Sequence, residues 1–165
     1  MKRHFASVLC LLLLLLTPAC APKITEFQRK QAANLMSEAQ FAGTLRDWPR
    51  AEGLMAQAAE LCPDNGEYWL NLGSVRRRLD NLAGARKAYE HAVKAYGEAY
   101  KADGKDPQPL MQQIYTYSLL GRHKDAVRAL ERVHADHGGD PGVKSFTEQS
   151  LERMREDPAF KALAL

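Results

Sequence analysis

Apolar positions recur along most of this chain with the spacing of an α-helix. Trp69, Leu72, Leu79, Leu82 and Tyr89 form one such series, suited to filling the space between neighbouring helices. Tyr89, Val93, Tyr96 and Tyr100 form another, along one stripe. Helix starts are marked as well. Asp47 precedes Trp48-Pro49, Asp106 precedes Pro107, Asp140 precedes Pro141 and Asp157 precedes Pro158. An Asp accepts from the free N–H groups of a first turn, and Pro fits there because its missing N–H is not needed. Pattern and caps predict helices over 24–43, 48–62, 66–79, 82–102, 107–120, 123–136 and 142–155, then a short turn around Phe160. No strand pattern competes.

The first residues have a different pattern. Lys2 and Arg3 give a positive start, and Phe5 to Leu16 then run apolar, with six consecutive leucines from Leu11. Twelve residues rise about 18 Å as a helix, short of a ~30 Å hydrocarbon core. An export signal fits better than a membrane span. The run ends in Thr17-Pro18-Ala19-Cys20, and here the sequence resembles a bacterial lipoprotein signal over residues 1–19. Ala19 fits the small residue expected before the cysteine. Thr17 departs from the Leu usual three places before it, and Pro18 is unusual. The resemblance implies that Cys20 carries the acyl chains, with residues 20–31 forming the anchor, the linker and the start of the first helix. With no Asp after Cys20, it also implies an outer-membrane location facing the periplasm. The alternative is cleavage by an ordinary signal peptidase after Ala19 or Ala21, with Cys20 incidental.

Three segments align without internal gaps: 32–65, 66–99 and 107–140. The second carries Trp69, Leu72 and Gly73, then Ala85, Tyr89 and Ala92. The third carries Tyr117, Leu120, Gly121, Ala126 and Leu130 in register. The first carries Ala39, Ala51, Met55 and Ala58, then Pro63-Asp64-Asn65. These spacings resemble the tetratricopeptide repeat, a helix-turn-helix unit of 34 residues. The resemblance implies an all-α fold: a right-handed solenoid of three helix-turn-helix repeats, closed by a capping helix within 141–165. Gly73, Ala85, Ala92 and Ala126 are small where paired helices must approach closely. Between the second and third repeats, Tyr100–Asp106 add seven residues, about two helical turns. The second helix of the middle repeat should therefore overrun its partner, with the tyrosine stripe as core or, alternatively, as an exposed knob.

The resemblance also implies protein–protein interaction, with a protein or peptide segment crossing the concave groove. From the first repeat, Met36 and Gln40 would face it. From the second come Asn71, Ser74, Arg77 and Arg78, and from the third Met111, Gln112 and Tyr115. Arg76-Arg77-Arg78 is a dense basic run, but successive helical positions point ~100° apart, so the three cannot share one ligand. A solvated face with snorkelled stems is one reading of that run, and recognition of a carboxylate or acidic peptide is the other. Tetratricopeptide domains that clamp chaperone tails use Lys, Asn, Asn, Lys and Arg. Only Asn71 matches; Met36, Gln40, Gln108 and Gln112 occupy the other positions, which argues against that ligand class.

Composition narrows the picture. The chain has 165 residues, 45% apolar and 26% charged, with 23 basic against 20 acidic side chains for a net +3. Without Lys2 and Arg3 the body is nearly neutral, which argues against nucleic acid as a partner. Three cysteines, Cys20 among them, cannot make a disulfide framework. Cys62 reads as a small apolar filler. No catalytic residue, cofactor or metal is expected. Gly138 to Ser145 lacks the Gly before Lys144 that a phosphate loop needs, and a preceding strand. A rival from another class, a metal-binding or enzymatic protein, would use His134 and His137, three apart on a helix beside Asp136 and Asp140. The bland reading is two residues at a helix end favoured by its dipole. Packing of the solenoid on its own copy is a further alternative.

Overall fold

The computed structural model describes residues 23–165. The leader and Cys20, with the anchor assigned to it, lie outside the described residues. Asp, Asn and Thr side chains open most of the helices that follow. Thr25 begins α1 (Glu26–Thr44), accepting from the Gln28 N–H while Gln28 reaches back to the Thr25 N–H. Asp47 caps α2 (Trp48–Leu61), Asn65 caps α3 (Gly66–Arg78) and Asn81 caps α4 (Leu82–Ala102). These reciprocal and single caps satisfy N–H groups that a helix start leaves without partners.

Beyond the inserted segment come α5 (Gln108–Leu119) and α6 (His123–His137). Asp106 accepts from the Gln108 N–H at 2.9 Å at the start of α5. Each helix packs against the next in chain order, α1 on α2 through to α6. The described residues are all-α, a solenoid of three helix pairs followed by short helices.

The turn inside each pair repeats in detail. Arg46, Asp80 and Gly121 adopt left-handed backbone at φ 59°, 59° and 69°. Arg46 and Asp80 are 34 residues apart, and Gly121 follows after 34 plus the seven inserted residues. At each, the next residue's N–H reaches five back: Asp47 to Ala42 O, Asn81 to Arg76 O and Arg122 to Tyr117 O. This bond and its inner companion satisfy carbonyls that the helix end leaves free. The turns thus recover the repeat from backbone geometry alone.

Small residues and tyrosines join α3 to α4. A Cβ on Gly73 would lie 2.4 Å from the Tyr89 ring, and one on Gly66 would lie 2.7 Å from the Tyr96 ring. Both rings sit where a side chain on α3 would otherwise stand. Ala85, Ala92 and Ala126 are fully buried, as are Tyr89 and, at 1% exposure, Leu72. Trp69 is half-buried, donating through Nε1 to Pro63 O and stacking on His91 at 4.4 Å. Two expected core positions differ. Leu79 and Leu82 flank the turn between α3 and α4 and are exposed, because the left-handed Asp80 between them breaks the helical register.

Helix α4 overruns its partner as expected, and its end is core. Tyr96 and Tyr100 are both buried. Tyr100 packs with Leu110, Ile114 and Val133, and its hydroxyl donates to Asp136 Oδ2 at 2.7 Å. No exposed knob forms there. The expected single helix over 142–155 also differs. It is divided into α7 (Pro141–Ser145) and α8 (Glu148–Glu156), before a last turn α9 (Pro158–Lys161). Thr147 causes the break: it caps α8 reciprocally with Ser150, a side-chain bond that competes with continued helix.

Candidate peptide-binding groove

Helices α3 and α5 each bring part of the expected groove. Asn71, Ser74, Arg77, Met111 and Tyr115 are half-buried, and Gln112, Arg78 and Gln40 are exposed. Met36 is the exception. It is 5% exposed and packed with Ala39, Ala58 and Leu72, so its thioether fills the α1–α2 interior and is not offered to a ligand. Ser74 Oγ donates to Leu70 O, a bond that leaves its hydroxyl turned onto its own helix.

The three arginines diverge as their spacing requires. Arg76 pairs with Glu52 of α2 at 2.7 Å. The Arg78 guanidinium lies over the Trp48 ring, 5.1 Å from its centroid, so the expected groove contact from Arg78 is replaced by a cation–π contact. Arg77 alone reaches across the chain: its Nε donates to the carbonyl of Ala164 at 2.8 Å.

That carbonyl belongs to the chain's own C-terminal segment, which lies on this face. Asp157 caps the turn of α9 by accepting from Ala159 and Phe160 N–H. Phe160, 6% exposed, packs edge-on against Tyr115 with centroids 5.6 Å apart. Tyr89 donates to Leu163 O at 2.9 Å, and the Leu165 N–H donates to Leu119 O at 2.9 Å. Leu119 ends α5, so its carbonyl is one that the helix itself cannot satisfy. Three helices therefore each give one hydrogen bond to the backbone of residues 163–165, and one ring anchors them. Burial pushes the Tyr89 and Tyr115 hydroxyls above the usual tyrosine value, which keeps Tyr89 a donor.

Open space remains beside the segment. A cleft of about 580 Å³ is lined by Tyr115, Arg153, Met154, Phe160 and Leu163. A second, of about 400 Å³, is lined by Met111, Gln112, Tyr115, Phe146 and Met154. Met111 and Tyr115 thus face space that α8 and the tail only partly fill. Phe160, Leu163 and Tyr89 are site residues that sequence reasoning missed. The one signal was the expected turn at Phe160.

His134 and His137 engage protein groups separately. His134 Nε2 donates to Phe146 O at 2.8 Å, and His137 Nε2 lies 3.0 Å from the Tyr100 hydroxyl. Asp136 is held below the usual carboxylate range, chiefly by the hydrogen bond from Tyr100. Among the described residues no three His, Cys, Asp or Glu side chains are grouped to hold a metal ion. Cys62 is buried at 1% exposure at the end of α2, a filler. No described helix is long and apolar enough to cross a membrane.

No family model matches the chain, and no curated protein matches it. Among solved structures it is similar to the Arabidopsis OM64 TPR domain, at 16% identity and a TM-score of 0.46, over 76% of this chain and 98% of that one. It is also similar to a chain of the CopN-Scc3 complex, at 19% identity and a TM-score of 0.49, over 83% of this chain and 79% of that one.

Proposed function

We propose that this protein is a scaffold that binds a segment of another protein on the face of α3 and α5 and holds it at a bacterial membrane. One observation carries the binding part. A stretch of polypeptide already lies on that face, held through its backbone by Arg77, Tyr89 and Leu119 O. Backbone-directed bonds serve any extended or turn-like segment, while neighbouring side-chain pockets choose among sequences. Met111 and Tyr115 offer adaptable apolar contact beside them, and Asn71 and Gln112 offer hydrogen bonds. The anchor rests on the leader pattern and Cys20. Each acyl methylene contributes about 0.8 kcal/mol, so two or three chains retain the body at a membrane durably. The partner then belongs to envelope assembly, such as pilus, secretion or cell-wall machinery.

Two measurements test the two parts. Metabolic labelling with an alkyne fatty acid should mark the full chain and leave Cys20→Ser unlabelled and released from membranes. Equal labelling of both would overturn the anchor. A photo-crosslinker at exposed Gln112 should trap a defined envelope protein in cells, and Arg77→Glu should reduce that adduct at least tenfold. An adduct pattern indifferent to Arg77→Glu would move the interaction off this face.

A further inference from the structure

The C-terminal segment is held unlike any other part of the fold. Helices α1 to α6 are joined by interdigitated buried side chains, whereas residues 157–165 are joined by one buried ring, three backbone hydrogen bonds and the half-buried side chains of Leu163, Ala164 and Leu165, which pack against the cluster of Tyr89, Leu119 and Leu120. Pro158, Ala159, Lys161 and Ala162 of this segment are exposed, and Leu163, Ala164 and Leu165 are only half-buried. Beside Phe160 and Leu163 lies the larger cleft. This combination is what a docked peptide shows: an aromatic anchor in a pocket, backbone bonds that do not read sequence, and an exposed outer side.

We propose that the pocket of Tyr115, with Arg77 and Tyr89 beside it, is a docking site for a partner segment carrying Phe followed three residues later by Leu, and that residues 157–165 are its exchangeable placeholder. This deepens the scaffold reading and rests on it. The occupant's chemistry is taken from the tail itself. Phe160 meets Tyr115 edge-on, Leu163 gives its carbonyl to Tyr89, and Ala164 gives its carbonyl to Arg77. The site asks of a ligand a buried aromatic ring, an apolar residue one turn later, and two free backbone carbonyls beyond the turn. Tethering gives the tail a high effective concentration. A partner must therefore compete, which keeps an apolar pocket covered until one with better contacts arrives. The second cleft, lined by Met111, Phe146 and Met154, offers such contacts to a segment longer than the tail.

The probe is a labelled synthetic peptide of residues 157–165, titrated by fluorescence anisotropy. The intact protein should bind it at least tenfold more weakly than the full-length double variant Phe160→Ser, Leu163→Ser, whose tail no longer competes. A control peptide with Ser at both positions should not bind, and adding Tyr115→Ala or Arg77→Ala to the double variant should weaken the true peptide at least tenfold. Equal binding to intact and double-variant protein, or none to a double variant with parental helicity, overturns the proposal.

A second form of the protein covers the chance that the double variant loses structure. A protease site inserted between Glu156 and Asp157 allows the folded protein to be nicked with its tail in place. Exchange of the nicked tail for labelled peptide supports the placeholder, and a tail that never exchanges makes it permanent core and overturns it. A dimer of the intact chain, dissociated by excess peptide, would make the tail a self-association device instead and also overturn it. These readouts use purified protein, so they stand or fall independently of the crosslinking in cells.

Discussion

The α3–α4 pair and the C-terminal tail both pack against their neighbours, yet they are held by different physics. In the pair, rings occupy hollows left by missing side chains: Tyr89 over Gly73 and Tyr96 over Gly66, with Ala85, Ala88 and Ala92 fully buried along α4. Close packing of this kind tolerates no change of volume. The tail shows no such interlocking. It places one ring, Phe160, on Tyr115 and gives its remaining grip to main-chain hydrogen bonds and to the half-buried side chains of Leu163, Ala164 and Leu165. A net hydrogen bond contributes about 0.5–1.5 kcal/mol, so on the placeholder proposal three of them, one ring and three half-buried side chains hold a segment that can still leave. The first arrangement sets the shape of the solenoid, and the second covers a surface.

The sharpest way to break the contrast is a charge in the pair. Ala85 is fully enclosed, so Ala85→Glu combines overpacking with an unpaired buried carboxylate. The loss should be roughly 3 kcal/mol or more, read as a lower midpoint in urea. A midpoint like the parent's would show that α3 and α4 are not packed as described.

Gly73→Ala is smaller but more discriminating, because two principles give it opposite signs. Helix propensity favours Ala over Gly by about 1 kcal/mol. Against that, the new methyl would sit 2.4 Å from the Tyr89 ring, and overpacking of this sort costs roughly 1–3 kcal/mol. Net destabilisation is expected in urea unfolding, together with weaker tail docking as Tyr89 moves. Net stabilisation would mean that the ring yields freely.

How far the sequence reveals these regions follows from the range of each interaction. Helix starts are legible because an Asp cap and its N–H partners lie within three residues, as at Asp47, Asp140 and Asp157. The helix pairs are legible because small and aromatic residues repeat at fixed spacing, as with Gly73, Ala85 and Tyr89. The left-handed turns are only partly legible. Gly121 announces its conformation, but Arg46 and Asp80 adopt the same one with ordinary side chains. The break at Thr147 was readable in principle from Thr147 and Ser150, a reciprocal cap built with Ser in place of the usual Glu or Gln. Met36 could not be placed by family register alone, since a residue at the edge of a groove faces inward or outward according to small rotations of the helix. The docked tail had the Asp157 cap and the expected turn at Phe160 as local signals, but nothing local places that turn on α3 to α5. Phe160 meets Tyr115, and Leu163 meets Tyr89, far apart in the chain.

On the tail, Phe160→Ala should cost less than the 3–5 kcal/mol typical of a core phenylalanine. The segment can lift away locally without opening the helix pairs. Roughly 1–2 kcal/mol is expected, with faster hydrogen exchange at the Leu165 amide and unchanged exchange along α4. Loss of protection in α4 as well would merge the two regions into one cooperative unit and erase the contrast.

The smallest effect is a titration that reads both regions at once. Burial raises the hydroxyls of Tyr96 in the pair and Tyr115 under the tail above the ordinary value of about 10. The unfolded chain ionises these tyrosines near pH 10 while the folded one resists. Their contribution to stability is therefore complete below that pH and declines as the pH rises beyond it. Ultraviolet titration of the parent should show both ionising late. In Phe160→Ala the ring that shields Tyr115 is gone, so Tyr115 should ionise nearer 10, whereas Tyr96, enclosed against Gly66, should stay late. Adding Tyr115→Phe should then reduce the early rise by one tyrosine of the six. An unchanged early rise in that double variant would mean the tail does not shield Tyr115, and the ring-on-ring anchor would not be what holds the segment in place.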